Sequence, residues 1–294
     1  MPDELIRSLN LTSPADVCRA LELLNIRPLK SRGQNFLIDA NIRGIILKTA
    51  ELSVNDQVLE IGAGLGALTE ALAKIARRVV AVEKDLRLGE FLRIRFQPAA
   101  NIELIFTDVM RLDLAKFWSA GINKLVANLP YSVGSAALVE IFKSGSQPEM
   151  IVVTLQTEVA RRLVAESNTG DYGLLSIWSQ LSYETEICKV VSPNCFFPRP
   201  EVQSAILRMK KRQPLTEEPA DRGFFFGLTK YAFSRRRKQL QKIMADAPPQ
   251  FCRPAPELQV IFKELDIDPR IRPEALAVGQ WIQLANRLRN NVRR

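Results

Sequence analysis

The residues with the clearest chemical content are Asn128-Leu129-Pro130-Tyr131, which follow the apolar run Lys124-Leu125-Val126-Ala127. That run has the composition of a buried strand, and open α/β sheets bind ligands in the crevice beyond their strand ends. Asn128 offers an acceptor and two donors on one side chain. Pro130 fixes its own φ and brings no N–H, so nearby carbonyls have fewer partners within the chain. Tyr131 supplies a flat face. Together these groups can hold a planar base by its amine edge. A simple strand-to-helix turn would carry the same four residues, so the neighbouring strand ends must decide between the two.

Three other short apolar runs end in ligand-type residues. Residues 57–61 lead into Gly62-Ala63-Gly64-Leu65-Gly66, 78–82 into Glu83-Lys84, and 102–106 into Thr107-Asp108-Val109. Solvated charge does not track strand ends so regularly. Glycines after a strand let the backbone approach a ligand, and the helix that follows offers free N–H groups. Glu83 lies 21 residues after Gly62, where a carboxylate can take both ribose hydroxyls. The third glycine of the dinucleotide fingerprint would fall at Ala67, which disfavours NAD. Asp108 adds an acceptor suited to an adenine amino group. S-adenosylmethionine is the ligand with an adenine, a ribose and no need of a phosphate cradle. Lys84 and Val109, next to the two carboxylates, are counted with its pocket, and no metal is expected.

Methyl transfer from that donor to an adenine amine is mainly a positioning problem. The amine is a poor nucleophile because its lone pair is delocalised into the ring, whereas a methyl sulfonium is a strong electrophile. The Asn128 side-chain oxygen and a carbonyl at Leu129 or Pro130 are the expected acceptors for the amine hydrogens. Tyr131 is expected to stack on the base. Phe196, on the proline-stiffened loop 192–200, is the candidate for a second ring.

The elements needed to hold these groups are legible as strand–helix alternation, which predicts a doubly wound parallel sheet in an α/β, Rossmann-like fold. Two later strands are expected at 184–191 and 205–209. A polar stretch with two prolines at 213–220 marks a domain boundary. Helices are expected beyond it at 222–233, 236–245, 256–265 and 273–288. An N-terminal extension, 1–29, contains a helix at 14–24 opened by Ser13 and carries no assigned chemistry.

Composition narrows the chemistry further. The chain of 294 residues contains no histidine, which excludes Ser-His-Asp and Cys-His hydrolysis and His-ligated metals. Its four cysteines are scattered without a CxxC pair, which argues against a zinc site or disulfide framework and fits a reducing compartment. No apolar run is long enough to span a membrane, and a cytoplasmic location is expected. The net charge is +9, and residues 213–294 hold 15 Lys/Arg against 9 Asp/Glu. A basic C-terminal domain with the run Arg235-Arg236-Arg237-Lys238 points to a polyanion, most often nucleic acid.

These motifs resemble the KsgA/RsmA family of ribosomal RNA small-subunit adenine dimethyltransferases. The carriers are residues 33–39 (GQNFLID), 60–69 (EIGAGLGALT), Glu83, Asp108, Asn128–Tyr131, 158–163 (EVARRL), Tyr172-Gly173, Phe196 with Pro198 and Pro200, Phe233 with 235–238, and Arg272-Pro273-Glu274. The resemblance implies a seven-stranded class I methyltransferase domain at 30–212 and a helical, ribosome-docking domain at 213–294. It places Gln34, Asn35, Leu37 and Gly64 in the cofactor pocket, with Gly62 at its methionine end, Glu83 at the ribose and Asp108 at the adenine. Asn128 would touch both cofactor and target amine. The implied substrate is a pair of adjacent adenosines in the 3′-terminal hairpin loop of 16S rRNA in the pre-30S subunit, acted on by a monomer with a role in subunit biogenesis. Thr157 stands where the family commonly has lysine, and Lys242 where it has asparagine. Two competing readings use the same fold: a large-subunit rRNA adenine methyltransferase of the antibiotic-resistance class, and a non-catalytic assembly or transcription factor.

Overall fold

The computed structural model describes residues 2–26, 34–97 and 99–290. Helices α1 (Pro2–Ser8) and α2 (Pro14–Leu23) open the chain, followed by strand β1 (Phe36–Leu37) and α3 (Ala40–Thr49). Then come β2 (Gln57–Ile61), α4 (Ala67–Ala73), β3 (Arg78–Glu83), α5 (Leu86–Phe96) and β4 (Ile102–Phe106). They are followed by α6 (Leu114–Ser119), β5 (Lys124–Asn128), α7 (Gly134–Lys143) and β6 (Met150–Gln156). After α8 (Thr157–Val164) and α9 (Leu174–Ser182) come β7 (Tyr183–Val191), β8 (Phe196–Phe197) and β9 (Ser204–Lys211). Four helices close the chain: α10 (Arg222–Phe233), α11 (Leu240–Ala245), α12 (Ala255–Glu264) and α13 (Val278–Asn290).

The main sheet has the seven strands that the resemblance implies, in the order β4-β3-β2-β5-β6-β9-β7. β2 pairs in parallel with both β3 and β5, β3 with β4, and β5 with β6, while β9 runs antiparallel to β6. The central strands read as unbroken apolar runs because both of their faces are covered; Val58, Leu59, Val79–Ala81, Leu125–Ala127 and Ile151–Val153 are all fully buried. From β2 the chain winds outward through β3 and β4; the return at β5 lies on the other side. The strand order therefore reverses between β2 and β5, and the loops after these two strands diverge there to leave a crevice. Short polar caps start the flanking helices: Asp39 accepts from Asn41 and Ile42 N–H before α3, and Asp85 accepts from Arg87 N–H before α5.

The described residues form two compact units. One takes in those up to Ala160 together with Thr185–Lys211, the other Arg161–Glu184 together with those from Arg212 on. The expected boundary near 212 is one crossing between them, but 161–184 depart from the expected 30–212 domain. They pack within the second unit because α9 carries buried rings and hydroxyls on several sides. Trp178 Nε1 donates to Thr229 Oγ1 on α10 at 3.0 Å, and the Tyr172 hydroxyl donates to the Leu276 carbonyl at 3.0 Å. The expected extension boundary at 29/30 lies outside the described residues, as do Lys30 to Gly33 just before Gln34. Two helical expectations shorten. Residues 234–238 form a turn, so the helix expected from 236 begins at Leu240; that expected from Pro273 opens with a 3-10 turn, Pro273–Ala275, and resumes at Val278. Helices α6 and α7 have no counterpart in the sequence reading. No helix among the described residues is long and apolar enough to cross a membrane.

Candidate functional site

A cavity of about 820 Å³ opens in the first unit, where β2, β3, β4 and β5 end. That volume lies within the usual range for small-molecule sites, about 300–1,000 Å³.

The loop after β2 is glycine-rich for a steric reason. Gly62, Gly64 and Gly66 all have positive φ, at +79°, +60° and +89°. A Cβ on Gly62 would stand 2.9 Å from Pro130 Cδ, so the glycine loop and the Asn128–Tyr131 turn are in direct contact. Just before it, Glu60 is 1% exposed and its Oε2 accepts from the Thr69 hydroxyl of α4 at 2.6 Å. Burial, helped by the nearby Glu83 charge, pushes the Glu60 carboxyl up to about 8.

Glu83 closes β3 and is held by main-chain donors. Oε2 accepts from Gly64 N–H at 2.8 Å, and Oε1 from Lys84 and Asp85 N–H at 2.8 and 2.9 Å. Burial raises its carboxyl above the usual range against these three hydrogen bonds. A carboxylate has about four lone-pair sites. Oε2, with one donor, is therefore the oxygen with room for a ligand hydroxyl. Asp108 lies two residues beyond β4; Oδ2 meets Lys84 Nζ at 2.6 Å and Oδ1 accepts from Met110 N–H at 3.0 Å. The Lys84 ammonium holds the Asp108 carboxyl below its ordinary value. Val109, buried, follows in a 3-10 turn that Asp108 caps.

At the end of β5, Asn128 Nδ2 donates to the Asn35 carbonyl at 2.9 Å, which fixes the amide and leaves Oδ1 as its acceptor side. Leu129 N–H donates to the Thr154 carbonyl of β6, and the Pro130 carbonyl accepts from Val133 and Gly134 N–H as α7 begins. Among the described residues no main-chain N–H donates to the Leu129 carbonyl. The Tyr131 hydroxyl meets Ser204 Oγ of β9 at 2.5 Å, and burial raises its titration above the phenol value.

Most of the expected residues converge. Gln34, Asn35, Leu37, Gly62 and Gly64 line the cavity together with Glu83, Lys84, Asp108 and Val109, and so do Asn128, Leu129, Pro130 and Tyr131. Phe196 does not, which corrects its placement as a base-stacking ring. It is 2% exposed and packs in the apolar core with Leu37, Ile42 and Val191. The short β8 strand pairs antiparallel with β1, which sets Phe196 opposite Leu37 and Phe197 opposite Phe36. Arg235–Lys238 lie in the second unit on the turn after α10, with Arg235 over the Tyr231 ring at 4.2 Å and Lys238 3.3 Å from Asp246. Among the residues of the cavity wall to which sequence reasoning gave no role are Leu11, Val17, Phe36 and Asp85. Phe36 carries no signal beyond its place between Asn35 and Leu37, and nothing in residues 9–26 marks them as part of a site.

A sequence profile of the ribosomal RNA adenine dimethylase family matches residues 27–290. The chain belongs to that family. The methyltransferase reading of the sheet thus stands. Among curated members, a ribosomal RNA small subunit methyltransferase A from Geobacillus sp. (strain WCH70) is 37% identical over 286 residues, covering 96% of this chain and 98% of its own. The corresponding protein of Ligilactobacillus salivarius is 38% identical over 283 residues, covering 95% and 96%. A crystal structure of a dimethyladenosine transferase from Plasmodium falciparum superposes with a TM-score of 0.70 at 22% identity, over 84% of this chain and 94% of that one. The dimethylase fold extends to the 23S rRNA methyltransferase ErmE, with a TM-score of 0.63 at 27% identity over 86% and 99%.

Proposed function

We propose that this enzyme transfers methyl groups from S-adenosylmethionine to the exocyclic amines of two adjacent adenosines in the 3′-terminal hairpin loop of 16S rRNA, within the pre-30S subunit. The observation that carries this reading is the convergence of Glu83, Asp108 and Asn128 on one cavity in a chain of the rRNA adenine dimethylase family. The full-length likeness to small subunit methyltransferases favours the small-subunit RNA as substrate.

The cavity suits S-adenosylmethionine on its own chemistry. Its acidic groups besides Glu60, whose carboxyl is pushed up to about 8, are Glu83, Asp85 and Asp108. Its cationic side chains, Lys84 and Arg87, are already engaged with Asp108 and Asp85. Such a wall accepts a cationic, phosphate-free nucleoside and offers a phosphate little. When bound, S-adenosylmethionine supplies a methyl group on a sulfonium, which departs as a neutral thioether.

The chain's own residues then have separate tasks. Glu83 takes a ribose hydroxyl on Oε2, and Asp108 and Val109 flank the adenine. Asn128 presents Oδ1 to the target amine, held in place by its bond to Asn35. The Leu129 carbonyl, rather than the committed Pro130 carbonyl, is the second acceptor. Two acceptors on the amine hydrogens localise the nitrogen lone pair, and they are placed before the substrate arrives. Tyr131 offers a face to the base. The Arg235–Lys238 turn is the proposed phosphate contact of the second unit.

The test is labelled methyl transfer to 30S particles from a methylation-deficient strain, with the modified nucleotides mapped. Label on two adjacent adenosines of 16S rRNA is the expected result. Label confined to 23S rRNA would move the assignment to the large-subunit class, and no label would favour a non-catalytic assembly factor.

A further inference from the structure

The N-terminal segment carries no assigned chemistry, yet two of its side chains reach the cavity. Leu11 sits in the turn between α1 and α2, and Val17 lies on α2; both line the cavity. They are 3% and 1% exposed and pack in one apolar cluster with Phe36, Leu65 and Leu88, which line the same cavity. Leu65 belongs to the glycine loop, and Phe36 lies 3.2 Å from where a Gly64 Cβ would stand. The Gly64 amide in turn is held by Glu83. Leu11 and Val17 therefore belong to the packing around the glycine loop and the carboxylate that takes the ribose.

The segment is fastened by polar contacts that fix these two residues rather than leave them to drift. The Arg95 guanidinium of α5 donates to the carbonyls of Ile6 at 2.7 Å and Leu9 at 3.1 Å, and pairs with Glu70 of α4 at 2.6 Å. Arg7 Nε donates to the Ile94 carbonyl at 3.2 Å, and Arg87 to the Asn25 carbonyl at 3.1 Å. Within the segment, Asp16 Oδ2 accepts from Asn10 N–H at 3.0 Å and Ser13 Oγ caps α2, so the turn that carries Leu11 is closed at both ends. A buried guanidinium bound to main-chain carbonyls is costly to break, because the charge would lose its partners.

We infer that residues 9–24 are a built wall of the nucleoside site, with Leu11 and Val17 as positioning residues that hold Phe36 and Leu65 in place at the cavity. The inference rests on the reading of the cavity as the S-adenosylmethionine site. Both side chains have almost no surface left for a ligand to cover, so they act by packing behind Phe36 and Leu65, and truncating either, by loosening that wall, weakens binding by about fivefold.

The test is calorimetric titration of the full chain with S-adenosylhomocysteine, comparing wild type with Leu11→Ala and Val17→Ala. Ile6→Ala and Leu21→Ala serve as controls, since both residues are buried in the same cluster and neither lines the cavity. The expected result is weaker binding by the first pair and unchanged Kd in the second, with all four losing thermal stability. Equal Kd in all four folded variants would overturn the inference. Amide hydrogen exchange on the wild type gives a second readout that needs no substitution: protection across residues 9–24 is expected to rise on binding. Bound ligand without that rise would also overturn it. A wild type that binds no S-adenosylhomocysteine would overturn the reading of the cavity, and the inference with it.

Discussion

The Tyr131 hydroxyl lies 2.5 Å from Ser204 Oγ, which ties the aromatic ring of the Asn-Leu-Pro-Tyr turn to the antiparallel strand β9. Ser204 is fully buried and stands opposite Gln156 of β6, so its position is fixed by the sheet register. The Tyr131 ring, proposed above to face the base, is thereby held from the far side of β6. Ser204→Ala and Tyr131→Phe are each expected to lower the methyl-transfer rate about tenfold, with the Kd for S-adenosylhomocysteine unchanged, since coupled contacts of this kind tolerate little misplacement. The double variant should be no slower than the worse single one, because both remove the same contact. Multiplying effects in single-turnover assays would show that the two residues act separately.

Asn128→Ala should be far more severe. It removes Oδ1 as an acceptor and also releases the Asn35 carbonyl from its bond. Loss of a preorganised group that stabilises the transition state costs about 10²–10³ in rate. The measurement is single-turnover methylation of 30S particles with saturating donor. A rate within a few-fold of wild type would refute the assigned role.

Much of this arrangement can be read in the residues themselves. The strand ends at Glu83, Asp108 and Asn128 are visible because buried parallel strands are short, mostly apolar runs and a polar residue stands at or just after the end of each. Phe196 misleads for the complementary reason. Its pattern, an aromatic in a proline-rich loop, does not reveal that β8 pairs with β1 and turns the ring into the core. The long-range hydrogen bonds are equally silent: Tyr131 to Ser204 spans 73 residues, and Arg95 to Ile6 spans 89. Helix α7 escaped notice because Pro130 and Gly134 look like turn residues, although Ala137, Leu138, Ile141 and Phe142 form a buried helical face.

Gly62→Ala tests the contact between the glycine loop and the turn. The added Cβ would meet Pro130 Cδ at 2.9 Å, on a backbone already at φ +79°. Either the loop or Pro130 must move. The expected outcome is a drop in turnover larger than the change in cofactor Kd, because displacing Pro130 shifts Leu129 and Asn128 with it. Gly145→Ala, which meets nothing within 4 Å, is the control and should leave both parameters unchanged.

The turn after α10 makes a prediction in salt. Arg236 and Arg237 are exposed there, whereas Lys238 is occupied by Asp246. If both arginines neutralise phosphates, Arg236→Ala/Arg237→Ala weakens binding to 30S particles and lowers the slope of log K against log salt by about 1–2. The Kd for S-adenosylhomocysteine should not change, since neither residue lines the cavity. An unaltered salt slope, measured by filter binding across a salt series, would remove the turn from the RNA interface.

Glu60 makes the last prediction, in pH. Its folded carboxyl titrates near 8, against an ordinary value of 4.5, because the side chain is buried beside Glu83. A carboxyl whose pKa rises on folding favours the protonated folded state. Its contribution is fully present below pH 4.5 and is lost as pH climbs toward 8, at up to about 1.4 kcal/mol per pH unit. Glu60→Gln keeps the shape, stays neutral and still accepts from the Thr69 hydroxyl through its amide oxygen. Its stability curve should therefore lie close to that of wild type at pH 5 and above it at pH 8. Urea unfolding at a series of pH values measures the difference. Parallel curves for the two proteins would mean that Glu60 is ionised in the folded chain and that its burial does not govern its charge.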